Sequence, residues 1–258
     1  MKLSKRLRMI ADKIPLGSRL ADIGSDHALL PVYLAKNGRI TSAIAGEINE
    51  GPWEAADKQI KQAGLGGLIE ARKGDGLDVI APGEVDVISI AGMGGSLIVQ
   101  ILSQGQNKEQ HLSKFLGVQR LVLQPNVGED QVRRWLVDNQ WVLVDEDIME
   151  EDHQTYEILT ADKLPDSAAR NKILYSGYST ACGFAITGEL LFKMGPKLLK
   201  KPSPVFTVKW QYEIHKLEQI SLNLSNSGLE SSIARRIMIN RQIDELKEVL
   251  SCLQKDKP

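Results

Sequence analysis

Arg19-Leu-Ala-Asp-Ile-Gly-Ser-Asp-His-Ala28 is the stretch on which the fold turns. A short apolar run stops at Gly24 and gives way to a helical pattern over 27–37. Glycine permits the tight turn from strand to helix and a close backbone approach to a ligand, and the helix start offers unpaired amide hydrogens. Downstream, the run at 40–46 precedes a helix expected over 52–63. Further strands are expected at 69–73, 85–91, 118–124, 141–148 and 155–160, with helices at 94–104 and 129–139. Strands alternating with helices make a parallel sheet covered on both faces. The last two strands follow one another directly, so one runs antiparallel and closes a seven-stranded sheet.

Upstream, Leu3, Leu7, Ile10 and Ile14 share one face of an amphipathic helix. Beyond Leu164-Pro165 the strand signal ends: residues 167–200 read as short helices, and two long helices flank Asn226-Ser-Gly228. Ile239, Ile243, Leu246, Leu250 and Leu253 repeat at helical spacing, and Trp210, Ile214, Leu217 and Leu224 keep similar phase. Such stripes predict an antiparallel coiled-coil hairpin over about 205–255. The expected organisation is an α/β domain over 1–162 and a helical domain over 163–258.

Charge is uneven along the chain. Residues 163–258 hold 15 Lys+Arg against 9 Asp+Glu, and the opening Lys2, Lys5, Arg6, Arg8, Lys13 and Arg19 stand against Asp12 alone. Cationic ends around an acidic middle suit a polyanion, because phosphate neutralisation is the sequence-independent part of nucleic-acid affinity. An ordinary solvated helix face accounts for the charge equally well. No apolar run approaches the roughly 20 residues needed to span a bilayer, and the N-terminus lacks the apolar core of a secretion signal, so a cytoplasmic protein is expected. Cys182 and Cys252 lie far apart among apolar neighbours and read as buried free thiols. No two histidines have ligand spacing, so no metal is expected. The acidic run from Asp145 to Asp152 reads as a solvated loop before the last strand.

In open parallel sheets, ligands gather beyond the carboxyl ends of the strands, where strand order reverses. The first loop there carries neither the G-x-G-x-x-G of dinucleotide sites nor the G-x-x-x-x-G-K-[ST] of triphosphate sites. Asp26 would repel a pyrophosphate and attract sulfonium and ammonium groups, a role compatible with capping the helix. Glu47 follows the second strand, 23 residues past Gly24, where a carboxylate accepts hydrogen bonds from ribose hydroxyls. Asp75, between Gly74 and Gly76, can reach an adenine amino group, although Asp-Gly pairs also make simple turns. Ala91-Gly-Met-Gly-Gly95 leaves a floor almost without side chains except Met93, with room for a flat acceptor base.

Together with Leu123-Gln-Pro-Asn126 and Tyr156-Glu157, these loops resemble the bacterial tRNA (adenine-22, N1)-methyltransferase family along nearly the whole chain. The resemblance implies a Rossmann-like class I methyltransferase sheet, S-adenosylmethionine as methyl donor, and N1 of a tRNA adenine as acceptor. The donor site is then expected at Asp22, Gly24, Asp26, His27, Glu47, Asn49, Asp75, Gly76, Ala91, Gly92 and Met93. Neutral adenine N1 carries a lone pair and needs no base, so catalysis rests on alignment and desolvation. Gln124 and Asn126 can grip the adenine edge through amides that donate and accept, and Asp26 can stabilise the cationic product; a plain turn closing the fifth strand is the alternative for Gln124-Pro-Asn126. N1 lies on the pairing edge, so the base must leave its stack. Lys5, Arg6, Arg8, Arg235 and Arg236 are expected to hold the tRNA backbone, with no membrane, metal or obligate protein partner. Competing readings are another RNA or small-molecule methyltransferase, a nicotinamide-dependent oxidoreductase lacking its glycine fingerprint, and a non-catalytic RNA-binding protein.

Overall fold

A computed structural model describes residues 3–105, 113–225 and 230–255. His111 and the expected Asn226-Ser-Gly228 turn lie outside the described residues. The chain divides into two compact units, Met1–Ile173 and Leu174–Pro258. The sequence places the boundary earlier, at 162/163; the difference is helix α6 (Ser167–Leu174), which lies almost wholly in the first unit.

In the first unit, β1 (Ser18–Ile23), β2 (Ile40–Glu47), β3 (Ile69–Lys73), β4 (Val87–Met93), β5 (Arg120–Pro125), β6 (Val142–Glu151) and β7 (Gln154–Asp162) form one sheet in the order β3-β2-β1-β4-β5-β7-β6. The first five strands are parallel, and β7 runs antiparallel to both β5 and β6. Helices α2 (Leu29–Lys36), α3 (Glu50–Gln62), α4 (Gly95–Gln104) and α5 (Glu129–Asp138) lie along the chain between strands. Leu20, Ala21, Ile88, Ile90, Leu121, Val122 and Leu123 are fully shielded or nearly so. Continuous apolar runs rather than alternation are what a parallel sheet buried on both faces requires. Strand order reverses between β1 and β4, which opens a crevice at their carboxyl ends.

The acidic run is not a loop. It forms most of β6, whose side chains alternate between two jobs. Asp145, Asp147 and Glu151 meet α1 (Lys5–Lys13): Glu151 accepts the backbone N–H of Lys5 at 2.6 Å and of Arg6 at 3.2 Å, and Lys13 pairs with Asp145 at 2.7 Å and with Asp147. Ser4 adds a side-chain cap, accepting from the Leu7 N–H. A carboxylate at the helix start and a lysine at its end both suit the helix dipole. Burial works against the Glu151 charge, yet the two N–H donors hold its carboxyl below the usual range. On the other side, Glu146 meets Arg133 of α5, which is fully buried. The Arg133 Nε donates to Glu146 at 2.7 Å, and its Nη2 donates to Glu157 of β7.

The second unit holds α7 (Gly188–Met194), α8 (Pro196–Lys200), α9 (Pro204–Ser225) and α10 (Glu230–Lys255). A two-stranded ribbon, β8 (Tyr178–Ser179) with β9 (Ala185–Ile186), interrupts the stretch expected to be helical; two-residue strands are too short to show a period. Phe206, Trp210 and Ile214 of α9 are buried, as are Ile243, Leu246, Val249 and Leu250 of α10. Cys182 and Cys252 form a disulfide with Cα atoms 5.8 Å apart, which corrects the expectation of free thiols. The bond ties the β8–β9 turn to the end of α10, a meeting that a 70-residue separation conceals.

Arg133→Ala would remove the cation between two buried carboxylates and is expected to cost about 3–5 kcal/mol in denaturant unfolding. Lys13→Ala, which breaks partly exposed pairs, is expected to cost under about 1 kcal/mol in the same measurement.

Candidate functional site

The carboxyl edge of the sheet separates into two halves. In the first, the loops after β1, β2 and β3 are stitched together through backbone and carboxylate. Gly24 and Ser25 donate N–H to Gly46 O at 2.9 and 3.2 Å, Asp26 N–H donates to Glu47 Oε1 at 3.0 Å, and Gly74 N–H donates to Glu47 O at 2.9 Å. Asp22 is buried and accepts from Ser25 Oγ at 2.6 Å and Ser89 Oγ at 2.7 Å. Burial pushes its carboxyl above the ordinary range, although both hydroxyls oppose the shift. Burial likewise raises Glu47, with Asp22 and Asp26 adding repulsion. An acid pair held reluctantly ionised is suited to a cationic ligand.

Asp26, His27 and Ala28 all take positive φ, at 20, 60 and 52°. The helix therefore begins at Leu29 rather than at His27, and Asp26 forms no side-chain cap. Left-handed backbone at three successive non-glycine residues is unfavourable and clusters at functional sites. The Asp26 and His27 side chains are exposed, 3.6 Å apart between Oδ1 and Nε2. Asn49 and Asp75 are exposed at the ends of the second and third loops, whereas Gly76 is buried. Sequence reasoning missed Ser25 and Ser89, which hold Asp22, and Ile48, an exposed apolar side chain between Glu47 and Asn49.

The second half joins the loops after β4 and β5. Gln124 is fully buried; its Oε1 accepts from Gly92 N–H at 3.1 Å, and its Nε2 donates to Pro125 O and to Asn126 Oδ1. Asn126 Nδ2 donates to Gly92 O at 2.8 Å, while Asn126 N–H reaches Met93 O and Gly95 N–H reaches Val127 O, both at 2.7 Å. Gln124 is thus committed to the loop rather than presented to a ligand, and Asn126 is the exposed amide of the pair. Ala91 and Gly92 follow the β4 ladder into this turn, with Gly92 at φ 78°. Met93 links the halves: a Cβ on Gly24 would stand 2.2 Å from the Met93 terminal methyl. Its terminal methyl therefore lies against the Gly24 turn.

Of the basic residues, Lys5 and Arg8 are exposed on α1, and Arg235 and Arg236 are exposed on α10 of the second unit. Arg6 instead donates through Nη1 to Gln124 Oε1, with its guanidinium 5.2 Å from the Tyr156 ring centre. Lys13 is held by β6 and Arg19 by Asp86. Among the described residues no group of three His, Cys, Asp or Glu could hold a metal ion, and no helix is long and apolar enough to cross a membrane.

A Rossmann-like sheet with an antiparallel seventh strand, a glycine turn, and acids after β1 and β2 defines the class I methyltransferases. Within that class the chain belongs to the tRNA (adenine(22)-N(1))-methyltransferase family TrmK, whose model matches residues 20–248. A Bacillus subtilis protein named tRNA (adenine(22)-N(1))-methyltransferase is 40% identical over 251 residues, covering 97% of this chain and 98% of the relative. The crystal structure of the B. subtilis M1A22 tRNA methyltransferase TrmK superposes with a TM-score of 0.82 at 39% identity, over 96% of this chain and 99% of that one. Streptococcus pneumoniae Sp1610, solved in complex with S-adenosyl-L-methionine, gives 0.76 at 38% identity over 96% and 100%.

Two adjacent glycines test how tightly this turn is packed. A Cβ on Gly95 would stand 2.2 Å from Gly128 O and 3.0 Å from Val127 O, whereas one on Gly94 meets nothing within 4 Å. Gly95→Ala must displace backbone and is expected to destabilise by about 1–3 kcal/mol. Gly94→Ala is expected to melt within about 0.5 kcal/mol of the parent.

Proposed function

We propose that this protein transfers a methyl group from S-adenosylmethionine to N1 of adenine 22 in tRNA, acting in the cytoplasm. The observation that carries the reading is the buried Asp22–Glu47 acid pair beside the Gly24 turn. Exposed Asp26 at the same turn would repel a pyrophosphate, and the acids together favour a cationic donor bearing a ribose. The missing G-x-G-x-x-G argues against a nicotinamide dinucleotide, whose ribose an acid at Glu47 would also suit. The activity printed for the Bacillus relative, and the donor in the Sp1610 structure, agree with this chemistry.

Gly24, Asp26, His27, Glu47, Asn49, Asp75, Gly76, Gly92 and Met93 line the donor side in this reading, with Asp22 and Ala91 beneath them. The glycines leave room for close approach, Glu47 offers its second oxygen to ribose hydroxyls, and the αL turn at Asp26–Ala28 presents backbone at the crevice. When bound, S-adenosylmethionine supplies a methyl group on a cationic sulfur, which the neutral N1 lone pair takes without prior deprotonation. Asn126 orients the base edge, and the Gly92–Gly95 turn leaves space for a flat ring. Asp26 lies exposed where it can offset positive charge on the product. Lys5 and Arg8 on the first unit, and Arg235 and Arg236 on the hairpin, contact phosphate.

Incubation with unmodified tRNA and labelled donor should place the label on N1 of adenine 22, and a guanosine at position 22 should abolish it. Label elsewhere in the tRNA, or on protein alone, would overturn the proposed acceptor. Calorimetry should detect S-adenosylmethionine and not NAD. Asp22 and Glu47 have folded pKa values above their unfolded ones, so their ionisation costs stability as pH rises from ~4 through the raised values, and a cationic donor binds more tightly over that window. Asp22→Asn should raise the melting temperature, flatten the pH dependence, and weaken donor binding about tenfold, ~1.4 kcal/mol. Charge removal at Lys5 and Arg8, or at Arg235 and Arg236, should each lower the salt slope of tRNA binding by about 1 per lost contact; unchanged slopes would remove those residues from the interface.

A further inference from the structure

We propose that Arg6 is a positioning residue of the acceptor pocket, acting through Gln124 on Asn126, rather than one more phosphate contact. This rests on the reading above, in which Asn126 and the Gly92 turn meet the adenine. Arg6 sits in the first turn of α1, half-buried, with its own backbone N–H fixed by Glu151 at 3.2 Å. Its guanidinium lies against the Tyr156 ring, and a Cβ on Gly92 would stand 3.5 Å from its Nη1, so it forms a wall of the glycine turn.

Donor and acceptor chemistry makes this placement consequential. Gln124 Oε1 receives two donors, the Arg6 guanidinium and the Gly92 N–H. Neither can accept a hydrogen bond. Turning the Gln124 amide over would set its own N–H groups against both, and would set its oxygen against Pro125 O and Asn126 Oδ1. Arg6 and Gly92 together therefore allow one amide orientation. That orientation sends Nε2 to Asn126 Oδ1, which in turn sends Asn126 Nδ2 to Gly92 O at 2.8 Å. A charge-assisted bond is the stronger of the two locks on Oε1. The bond leaves Asn126 set before substrate arrives.

A planar fork lying over an aromatic ring is not interchangeable with an ammonium, whereas a phosphate contact tolerates lysine. Arg6→Ala and Arg6→Lys should therefore both lower kcat for tRNA methylation about tenfold or more and leave KM for tRNA within about twofold. Added guanidinium ion should restore part of the Ala variant's kcat without affecting the parent. Melting temperature and calorimetric donor affinity of the Lys variant should stay near the parent's, which separates positioning from unfolding. Independently of turnover, hydrogen exchange at the Gly92 amide should speed up in Arg6→Ala. Full activity in Arg6→Lys, a raised KM with unchanged kcat, or unchanged exchange at Gly92 would each overturn the proposal. An inactive parent enzyme would instead overturn the proposed activity, and Gly92 exchange would still decide the role of Arg6.

Discussion

The N–H of Gly92 donates to a buried side-chain oxygen, Gln124 Oε1, and the glycine turn at the end of β4 depends on that bond. A turn built from Gly92, Gly94 and Gly95 has almost no side chains with which to fix itself, and glycine is the residue that loses most conformational freedom on ordering. Its backbone groups must find partners outside the turn or remain costly. Gln124, Asn126 and Val127 supply them from the adjacent strand end, so the loops after β4 and β5 behave as one structure. A turn can be both bare of side chains and rigid only because the neighbouring segment carries the amides.

That dependence reaches into α1, whose contribution is hidden in sequence. Lys5, Arg6, Arg8 and Lys13 look like a basic patch, and the run from Asp145 to Asp152 looks like solvated acid. In the folded chain each answers part of the other. Odd-numbered acids of β6 face the helix, capping its start through Glu151 and holding its end through Lys13, while Glu146 turns inward to Arg133. Single-sequence reading registers charge but not which charges, more than 130 residues apart, will meet. The expected strand at 141–148 covers the start of the acidic run but stops short of Glu151, because acids on both faces leave no apolar side to carry the pattern on.

The rest of the sheet was legible for the opposite reason. β1, β4 and β5 are buried on both faces, so their apolar runs stand out between glycines, and the expected strands fall within a few residues of the observed ones. The loops were legible because Gly24, Glu47 and Asp75 keep spacings imposed by the sheet. Gln124 was visible as a residue but not in its orientation: a glutamine beside proline and asparagine offers an amide, and only burial shows that both ends are taken. The Cys182–Cys252 bond was invisible because nothing local marks the approach of a two-stranded turn to the end of a helix.

The two halves differ in the kind of polar group they use, and the chemistry accounts for the difference. Methylation of a neutral nitrogen moves a positive charge from donor to base without creating or removing one. No new anion needs stabilising, so there is no demand for the convergent donors of an oxyanion hole. In the proposed reading the charge starts beside Asp22 and Glu47, whose carboxyls burial pushes above the ordinary range. On the proposed acceptor side a carboxylate would invite protonation of the nucleophile, whereas a neutral amide such as Asn126 would hold the base edge without that penalty. Geometry then carries the reaction. In that reading it is supplied by a positive-φ turn on one side and a doubly anchored glycine turn on the other, with the Met93 methyl against Gly24.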